Sequence, residues 1–526
     1  MITLTIDNQT VQVPDGATVL DAAGTLGIFI PTMCHLKGFD PSTSCMVCVV
    51  RVEGVKSLVP ACGALAMEQM HVTTDSGEIR AARKAAIELL LSDHMGDCVG
   101  PCQMGCPAGM DIPLMLRLIA AGDDRAAIEV IKRDIPLPAI LGRICPAPCE
   151  KVCRRAKVDQ PVSICRLKRF AADVDLFSGE PFTPRVRVNR NKTAAIVGAG
   201  PCGLSAAYYL VQAGVACVVY DEHENPGGAL RYAPIDRAIL PAEIVDRETR
   251  QLLKTGITFM PQQRIGRDIA FETLCEGADA VLIASGDSTL YDKNCFSLDE
   301  KEGKICVDRK TWATSRAGVF AAGGAIGSRR LAVRASADGK EAAVAMVAFL
   351  DGIEMPSDRV FNSRMGVLSP EETRVMLTGA NVEPRVEPSE PAAGLDATAA
   401  RAEARRCLHC DCRKADNCRL RDLATASEAR QNAWAGEHKK LTLYGGDNGI
   451  VYEPGKCIQC GLCIQTAQRA AEATGLAFSG RGFTMTVAVP FEKTLAEALR
   501  HAGPQCVNNC PTGAFSLKTE DRCQRP

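Results

Sequence analysis

The sequence predicts a multidomain chain that combines α+β and α/β folds, and three observations predict it. The chain has 526 residues, more than one hydrophobic core holds, so we expect three to five domains. Its 26 cysteines are concentrated in short groups, which stretches of strand-like and helical pattern separate. A glycine-rich turn stands between a predicted strand and a predicted helix near residue 200, which is typical of an open α/β sheet.

The composition excludes several classes of function. Lysine and arginine number 61 against 62 aspartates and glutamates, so the chain offers no net positive charge for nucleic acid or for an acidic membrane surface. No run of about 18 apolar residues predicts a membrane-spanning helix. Residues 1–13 alternate apolar and polar side chains like a strand, unlike a signal peptide. With its many thiols, the chain is predicted to be cytoplasmic, with no nucleic-acid partner and no direct membrane insertion.

The first predicted domain spans residues 1–75. The segments ITLTI and VQV alternate like two strands around a polar turn at Asp7-Asn8-Gln9, and an amphipathic helix follows. Four cysteines then lie on a loop and a returning strand: Cys34, Cys45, Cys48 and Cys62. Four thiolates supply the two irons of a [2Fe–2S] cluster with two sulfurs each, and a zinc ribbon is the alternative.

This segment resembles the [2Fe–2S] domain of the large iron–sulfur subunit of NADH dehydrogenase (complex I) and of iron hydrogenases. The resemblance implies a β-grasp ferredoxin domain with one [2Fe–2S] cluster. The chain departs from the plant ferredoxin spacing of four residues between the first two ligands, since ten residues separate Cys34 from Cys45.

The second predicted domain, residues 76–185, is helical and rich in cysteine. A predicted helix ends at His94, and two cysteine triplets follow, separated by two further helical stretches. The ligand candidates are His94, Cys98, Cys102, Cys106, Cys145, Cys149, Cys153 and Cys165. Two separated triplets suggest two [4Fe–4S] clusters that draw ligands from both triplets.

The same segment resembles the N-terminal helical domain of the small subunit of glutamate synthase and of dihydropyrimidine dehydrogenase. In that family the two clusters interleave along the chain. The resemblance implies two ligand sets, which are Cys98, Cys102 and Cys153 with His94, and Cys106, Cys145 and Cys149 with Cys165. The alternative for His94 is a helix-terminal histidine that the helix dipole favours.

The third predicted domain spans residues 190–352 and begins as strand, glycine-rich turn, helix and strand. The candidate residues of the turn are Gly198, Gly200, Pro201 and Gly203. Glycines there permit a tight turn and a close approach of the backbone to a pyrophosphate at the helix N-terminus. Asp221 follows the second strand, where an acidic side chain bonds ribose hydroxyls. This order of elements predicts a dinucleotide site.

Two further segments of this domain resemble the glutamate synthase small-subunit family. NPGGALRY, with Gly227 and Gly228, resembles its flavin-side loop, which implies FAD rather than NAD. The closing motif has Gly323-Gly324 where the family has Gly-Asp. The NADPH-binding domain of that family is missing, because about 25 residues separate the two halves here. The alternative is a vestigial fold without flavin.

Residues 353–430 are predicted to form a linker, at 380–400, and a compact cysteine motif. The motif consists of Cys407, Cys410, Cys412 and Cys418. Four thiolates within twelve residues can wrap one cluster, and zinc bound by the same thiolates is the alternative.

The last predicted domain, residues 431–526, carries a C-terminal ferredoxin-like [4Fe–4S] module. Cys457, Cys460 and Cys463 supply three corners of a cubane from one tight loop. A remote cysteine must supply the fourth, and the candidates are Cys506 and Cys510. The segment resembles a single-cluster part of the large complex I subunit.

Together these features imply one [2Fe–2S] cluster, about four [4Fe–4S] clusters and one FAD. Clusters carry single electrons and FAD converts between one- and two-electron steps, so no residue is needed as an acid or base. We expect an electron-transfer subunit of a formate dehydrogenase-, hydrogenase- or NADH dehydrogenase-like enzyme. Its expected partners are a catalytic dehydrogenase or hydrogenase subunit, a nicotinamide-binding flavoprotein subunit and ferredoxin. The alternatives are a free-standing flavin oxidoreductase that uses NAD(P)H or ferredoxin, and a scaffold protein with structural clusters.

Overall fold

The computed structural model describes residues 1–526 except 189, 287–294, 328–330, 356–359, 389, 391–392, 415, 435, 446–447 and 519–526. The chain forms two units, each assembled from separate stretches of sequence. The first unit comprises Met1–Val99, Asp358–Thr378 and Cys410–Pro526, and the second comprises Gly100–Ser357 and Gly379–His409. Within the described part of the chain, no helix is both long and apolar enough to cross a membrane.

The strands and helices of the described residues have the following bounds. The strands are β1 (Ile2–Ile6), β2 (Gln9–Val13), β3 (Val49–Val52), β4 (Val59–Pro60), β5 (His71–Thr73), β6 (Thr193–Val197), β7 (Ala216–Tyr220), β8 (Thr258–Met260), β9 (Ala280–Ile283), β10 (Glu300–Lys301), β11 (Lys304–Ile305), β12 (Val319–Ala321), β13 (Tyr444–Gly445), β14 (Ile450–Tyr452), β15 (Ala477–Ser479), β16 (Thr486–Ala488) and β17 (Phe515–Leu517). The helices are α1 (Val19–Thr25), α2 (Gly77–Ser92), α3 (Pro101–Gly105), α4 (Ile112–Ala121), α5 (Asp124–Asp134), α6 (Pro138–Ile144), α7 (Pro148–Lys151), α8 (Ile164–Leu176), α9 (Pro201–Gln212), α10 (Ala229–Tyr232), α11 (Ala242–Leu253), α12 (Phe271–Gly277), α13 (Ala332–Asp351), α14 (Pro370–Leu377), α15 (Ala397–Ala404), α16 (Arg419–Ala426), α17 (Leu462–Arg469), α18 (Leu495–Ala498) and α19 (Gly503–Asn509).

The N-terminal sheet of the first unit has the strand order β2-β1-β5-β3-β4. β1 and β2 form an antiparallel hairpin, and its turn residues Asp7 and Asn8 have φ angles of 46° and 65°. Positive φ at both positions matches the right-handed twist of the flanking strands. Helix α1 begins after Thr18, which forms a reciprocal capping box with Asp21. These elements agree with the strands, turn and helix that the sequence predicts.

The C-terminal part of the first unit contains two small antiparallel sheets. β14 pairs with β13 and β17, and β15 pairs with β16. The buried side chains of Ile450, Tyr452 and Phe515 pack with residues of α17 and α19 into one apolar cluster. This cluster supports the loop that carries the cysteines of the tail.

The second unit contains a parallel five-stranded sheet with the order β12-β9-β6-β7-β8. The last four residues of β6 are buried, as expected of a strand covered on both faces. Helices α9 and α13 approach so closely that a Cβ on Gly339 would lie 2.2 Å from the carbonyl oxygen of Cys202. The buried hydroxyls of Ser205 and Ser336 lie 2.7 Å apart between the same helices. This packing fixes the start of α9, where the glycine-rich turn lies.

The helical part of the second unit is held by buried polar contacts. The carboxylate of Glu248 on α11 accepts hydrogen bonds from the backbone N–H groups of Ala139 (2.6 Å) and Ile140 (2.8 Å). These donors belong to the first turn of α6, whose N–H groups have no partner within the helix. Lys132 pairs with Asp175 at 2.6 Å, and both side chains are almost fully buried.

Two predicted boundaries are wrong. Helix α2 ends at Ser92, so His94 does not belong to the helix. The chain leaves the helical path there because the N–H of Met95 donates to the carbonyl of Gly455 (2.7 Å). The predicted linker at 380–400 ends before position 400, since α15 begins at Ala397. The Asp396 side chain caps that helix.

Candidate iron–sulfur and nucleotide sites

The structure brings Cys34, Cys45, Cys48 and Cys62 together in the first unit. Cys34 follows α1, Cys45 and Cys48 lead into β3, and Cys62 follows β4. The N–H of Ala61 donates to the carbonyl of Cys48 (3.1 Å), which ties the two cysteine-bearing segments to each other. All four cysteines are buried.

These four thiols contact one another. Hydrogen bonds link Cys34 with Cys45, Cys34 with Cys62, and Cys48 with Cys62. The bonds from Cys45 and Cys62 hold the pKa of Cys34 well below its ordinary value, and the bond from Cys62 lowers the pKa of Cys48 to about 7. The same bonds raise the pKa of Cys45 and of Cys62. Four buried thiols in mutual contact fit the ligand set of a [2Fe–2S] cluster.

A cavity of about 310 Å³ lies in the C-terminal part of the first unit, and four cysteines line it. They are Cys457, Cys460, Cys463 and Cys510. Gly461 has a φ of 75° just before α17, which turns the chain between two of the cysteines. The other walls include Leu462, Val487 and Phe515. Four thiols around an apolar cavity fit the ligand set of a [4Fe–4S] cluster.

The two candidates for the remote ligand of this cavity differ in position. They are Cys506 and Cys510. Cys510 lines the cavity, whereas Cys506 is absent from the described residues that line it. The Cys506 side chain is fully buried in the apolar cluster, and its thiol lies 3.6 Å from the carbonyl oxygen of Cys463. The position of Cys510 is therefore the one suited to ligation.

A second cavity of about 310 Å³ lies in the second unit and is also lined by four cysteines. They are Cys106 at the end of α3, Cys145 at the end of α6, Cys149 on α7 and Cys165 in the first turn of α8. Burial raises the pKa of Cys149 to about 12. The Cys165 thiol lies 3.5–3.7 Å from three backbone carbonyl oxygens, including that of Cys145. This set also fits a [4Fe–4S] cluster.

Lys168 also lines this cavity in the second unit. Its side chain is buried, one turn along α8 from Cys165. Burial lowers the pKa of Lys168, but the thiols of Cys165 and Cys145 raise it by more, so that the pKa lies above its ordinary value. A cation therefore stands beside the four thiols.

Cys98 lies in the first unit with Cys412 and Cys418. The N–H of Cys412 is 3.4 Å from the carbonyl oxygen of Cys98, and the N–H of Ser363 donates to the Cys98 sulfur (3.3 Å). Cys418 precedes α16 and is 7% exposed. Burial and the neighbouring Cys412 raise its pKa to about 12.

His94 is buried in the same unit, beside Lys456, Lys439 and Glu453. Burial and the two lysines lower the pKa of His94 to about 3. Lys456 pairs with Glu453 (2.8 Å), and its Nζ atom is 3.9 Å from the Cys412 sulfur. A neutral imidazole is the form that binds metal.

The remaining predicted ligands are divided between the units. Cys102 on α3 and Cys153 after α7 lie in the second unit, as does Cys407, whereas Cys410 lies in the first. A Cβ on Gly105 would lie 2.5 Å from a methyl group of Val152, so α3 and α7 are in close contact. Within the described residues, no three Cys, His, Asp or Glu side chains converge as they do around a single metal ion.

The glycine-rich turn joins β6 to α9. A Cβ on Gly203 would lie 1.9 Å from the Gly198 carbonyl oxygen, and one on Gly198 would lie 2.5 Å from the carbonyl oxygen of Ala284. Gly198 also has a φ of 107°. Gly200 caps α9, and Pro201 is its first residue. The turn is therefore as tight as the pattern predicts, and it presents the N-terminus of α9.

Asp221 follows β7 and lies against the turn. Its carboxylate accepts a hydrogen bond from the Ala199 N–H (2.7 Å) and from the N–H of His223 (2.9 Å). Gly228 packs on the same turn, since a Cβ there would lie 2.8 Å from the Cα of Gly200. Gly227 donates its N–H to the carbonyl of Ala199 (2.8 Å). Asp221, Gly227 and Gly228 thus surround the turn.

Gly323 and Gly324 follow β12 in a short 3₁₀ turn. A Cβ on Gly323 would lie 2.9 Å from the Cβ of Cys202, in the first turn of α9. A Cβ on Gly324 would lie 2.6 Å from the carbonyl carbon of Gly286. Both glycines are required by close backbone approach at the carboxyl end of the sheet, where open α/β sheets bind ligands.

Three residues of these sites were not identified from the sequence. They are Lys168, Lys456 and Ser363, which contact or line cysteine sites from other turns or segments. For Lys168, the amphipathic spacing of α8 from Cys165 is the one local indication.

Three family models match the chain and define a class of modular iron–sulfur protein with a nucleotide-binding fold. Residues 1–77 match a 2Fe-2S iron-sulfur cluster binding domain, and residues 94–179 match dihydropyrimidine dehydrogenase domain II, 4Fe-4S cluster. Residues 196–256 match an NAD(P)-binding Rossmann-like domain. An N-terminal 2Fe-2S domain, a 4Fe-4S domain after it and the Rossmann-like fold are thereby confirmed.

Among similar proteins is the NADPH-Fe(3+) oxidoreductase subunit beta of Geobacter sulfurreducens, 37% identical over 187 residues, or 35% of this chain and 28% of that protein. The NADP(+)-dependent formate dehydrogenase subunit beta of Moorella thermoacetica is 34% identical over 244 residues, or 42% and 34% of the two chains. The glutamate synthase [NADPH] small chain of Bacillus subtilis is 35% identical over 230 residues, or 41% and 46%.

These relatives confirm the predicted resemblance to the glutamate synthase small subunit and to subunits of redox enzymes. The chain spans less than half the length of each of these three curated relatives. A solved structure of an NAD⁺-reducing [NiFe]-hydrogenase in the H₂-reduced state matches 20% of this chain and 42% of its own, at 27% identity and a TM-score of 0.18.

Proposed function

We propose that the chain is an electron-transfer iron–sulfur flavoprotein and a subunit of a larger oxidoreductase. The two cysteine-lined cavities carry this proposal. Each has a volume of about 310 Å³ and four cysteines in its walls, one cavity in each unit. Buried clusters with thiolate ligands transfer electrons one at a time, and the protein tunes their potentials by charge and burial.

The ligand sets that we propose follow these groupings. They are Cys34, Cys45, Cys48 and Cys62 for a [2Fe–2S] cluster, Cys457, Cys460, Cys463 and Cys510 for one [4Fe–4S] cluster, and Cys106, Cys145, Cys149 and Cys165 for another. Including these two, we propose about four [4Fe–4S] clusters in total, and the others would use the remaining predicted ligands. In this proposal residues 1–75 are a β-grasp ferredoxin domain, 76–185 a helical cluster domain, 190–352 a flavin domain and 431–526 a ferredoxin-like module.

The nucleotide that we propose for the glycine-rich turn is FAD. The tight turn and the N-terminus of α9 support this proposal. Gly228, Gly323 and Gly324 pack so closely at this end of the sheet that a Cβ would contact neighbouring protein atoms, which keeps the turn compact. Bound FAD would supply exchange between two-electron and one-electron steps. Asp221 would orient the turn through the N–H of Ala199.

The partners that we propose are a catalytic dehydrogenase or hydrogenase subunit, a nicotinamide-binding flavoprotein subunit and ferredoxin. Two of the similar proteins are named as beta subunits, one of a formate dehydrogenase and one of an NADPH-Fe(3+) oxidoreductase. No residue in the proposed sites is required as an acid or base, so the substrate chemistry would take place on a partner.

A second candidate is a flavin oxidoreductase that itself oxidises NADH or NADPH. The description of the family that matches residues 196–256, NAD(P)-binding Rossmann-like domain, favours it. The connection between β9 and β12 argues against it, because about 35 residues are too few for a second nucleotide domain.

The experiment that separates these functions is anaerobic reduction of the chain reconstituted with iron, sulfide and FAD. We expect dithionite to bleach the flavin absorbance, and NADH and NADPH to leave it unchanged. Rapid bleaching by either nicotinamide would contradict the subunit proposal and favour the second candidate.

The flavin site itself is tested by Gly203→Ala. We expect this variant to purify without FAD, because its Cβ would lie 1.9 Å from the Gly198 carbonyl oxygen and would open the turn. The matched control is Gly277→Ala in the same unit, where a Cβ meets no atom within 4 Å. Equal FAD content in the two variants would show that the flavin does not bind at this turn.

A further inference from the structure

We propose that Cys98, Cys412 and Cys418 bind one iron–sulfur cluster together in the first unit. This grouping differs from the interleaved sets that the glutamate synthase resemblance implies, where Cys98 shares a cluster with Cys102 and Cys153. It also differs from a single compact four-cysteine motif, because it joins Cys412 and Cys418 to the distant Cys98. The inference deepens the proposed electron-transfer function and rests on it.

The backbone places the three cysteines around one point. The N–H of Cys412 lies 3.4 Å from the carbonyl oxygen of Cys98, although the two residues come from opposite ends of the chain. Cys418 interacts electrostatically with both Cys412 and Cys98, and both raise the pKa of its thiol. Cys412 and Cys418 are 7% exposed, so their thiols are shielded from water as cluster ligands are.

A buried hydroxyl at this point has no partner. The Ser363 side chain is 1% exposed, and its Oγ atom makes no hydrogen bond with the described residues. Its own backbone N–H donates to the Cys98 sulfur at 3.3 Å, so this serine is a direct neighbour of that thiol. Buried polar groups are nearly always paired, and the sulfide of a cluster held by Cys98 would accept the proton of Ser363.

The surroundings supply positive charge to balance cluster and thiolate charge. The Nζ atom of the buried Lys456 is 3.9 Å from the Cys412 sulfur. Buried Lys414, two residues beyond Cys412, donates to the carbonyl of Val507 (2.7 Å), which holds it in place. Because Glu453 already pairs with Lys456 (2.8 Å), an anionic cluster would chiefly offset the cost of burying Lys414 beside neutral thiols.

The C-terminal segment also packs closely against Cys412. A Cβ on Gly513 would lie 2.5 Å from the Cys412 sulfur, so Gly513 leaves the space that this sulfur occupies. Gly513 belongs to the turn that follows Cys510, which lines the C-terminal cavity. The proposed cluster would therefore lie near the C-terminal one, as a relay of single electrons requires.

The test uses paired cysteine variants of the full chain, reconstituted anaerobically. Cys98→Ser and Cys418→Ser should each lose about four iron atoms, and the double variant should lose no more than either. Cys98→Ser combined with Cys153→Ser should lose about eight, since these residues would serve different clusters. The proposal is overturned if the Cys98/Cys418 pair loses about eight and the Cys98/Cys153 pair about four.

Cysteine labelling of the wild-type chain gives a second measurement that does not depend on folding of the variants. As a chelator removes iron, Cys98, Cys412 and Cys418 should react with iodoacetamide at one common rate. Release of Cys98 together with Cys102 and Cys153 would overturn the grouping. A wild-type chain that takes up no iron would instead contradict the proposed function as a whole.

Discussion

The two cysteine-lined cavities have the same volume but different walls. In the second unit the cavity of Cys106, Cys145, Cys149 and Cys165 contains the buried side chain of Lys168. In the first unit, none of the described residues around the cavity of Cys457, Cys460, Cys463 and Cys510 carries a charge, and Thr512 is the most polar of the other side chains there. Beside this first-unit cavity, Lys439 donates to the carbonyl of Cys457 (3.0 Å) and pairs with Asp93 (2.8 Å), so its charge is compensated by a carboxylate.

This difference suggests how one chain holds clusters of the same type at different potentials. Adding an electron to a cluster adds negative charge, which a neighbouring cation stabilises and an apolar wall does not. With equal ligand sets, the cluster beside Lys168 would therefore be the easier one to reduce.

The largest expected effect is the loss of a whole cluster from either cavity. Cys165→Ala and Cys510→Ala should each remove about four iron atoms per chain, because each deletes the remote fourth ligand of its cavity. Iron and sulfide analysis, with low-temperature EPR of the reduced chain, measures the loss and assigns one signal to each cavity.

Two buried cysteines outside the cavities are the controls for that experiment. Cys506→Ala in the first unit and Cys217→Ala in the second should keep their full iron content, since neither residue is among those that line its unit's cavity. Loss of iron from Cys506→Ala with retention in Cys510→Ala would reverse the assignment of the remote ligand.

Much of this architecture follows from local sequence pattern. The hairpin at Asp7 and Asn8, the helix that Thr18 caps and the turn at Gly198 depend on neighbouring residues, so periodicity and turn chemistry predict them. The same holds for Cys457, Cys460 and Cys463, which line one cavity together.

The groupings between triplets depend on contacts that no local pattern encodes. Cys98 meets Cys412 because the first unit is assembled from three separate stretches of sequence, and the spacing of cysteines within one stretch gives no sign of that. Lys168 is one of 61 lysines and arginines, and its burial depends on how α8 packs. His94 is buried because Met95 bonds to Gly455, a distant residue, rather than continuing the helix.

The next largest effect should come from the charge in the second-unit cavity. Lys168→Met should lower the midpoint potential of that cluster by on the order of 100 mV, from a unit charge a few ångströms away at an effective dielectric constant of about 20. The C-terminal cluster should keep its potential. An EPR-monitored redox titration, with signals assigned from the cysteine variants, measures both.

Lys132→Met is the matched control for Lys168. Lys132 is another buried lysine of the second unit, but it pairs with Asp175 and is not among the residues lining the cluster cavity. Its replacement should leave both potentials unchanged, although it costs stability. Equal shifts from the two variants would mean that the potential responds to general loosening of the unit and not to the cavity charge.

The smallest effect concerns the helix that presents Cys145. Glu248 is buried at the start of α6, and burial raises its pKa to about 7 even though the N–H groups of Ile140 and Ala139 and the charges of Lys132 and Arg143 favour its ionised form. In the unfolded chain the pKa is 4.5. Between pH 4.5 and 7, Glu248 is therefore protonated in the folded second unit but ionised in the unfolded chain. The stability that this difference contributes is complete below pH 4.5 and is lost as the pH rises through 7.

Between pH 6 and 8 this loss amounts to roughly 1 kcal/mol, or a decrease of about 2 °C in the melting temperature. Glu248→Gln should abolish that part of the pH dependence while its amide oxygen still accepts a hydrogen bond from α6, and Glu243→Gln, exposed on the same helix, should preserve it. Calorimetry of the holo chain at the two pH values makes the comparison.

Because α6 carries Cys145 into the cavity, the melting of the second-unit cluster signal should follow this pH dependence, whereas the C-terminal cluster should not respond to Glu248. If both clusters shifted together in Glu248→Gln, the carboxylate would stabilise the chain as a whole, and the two cavities would not be independent in stability.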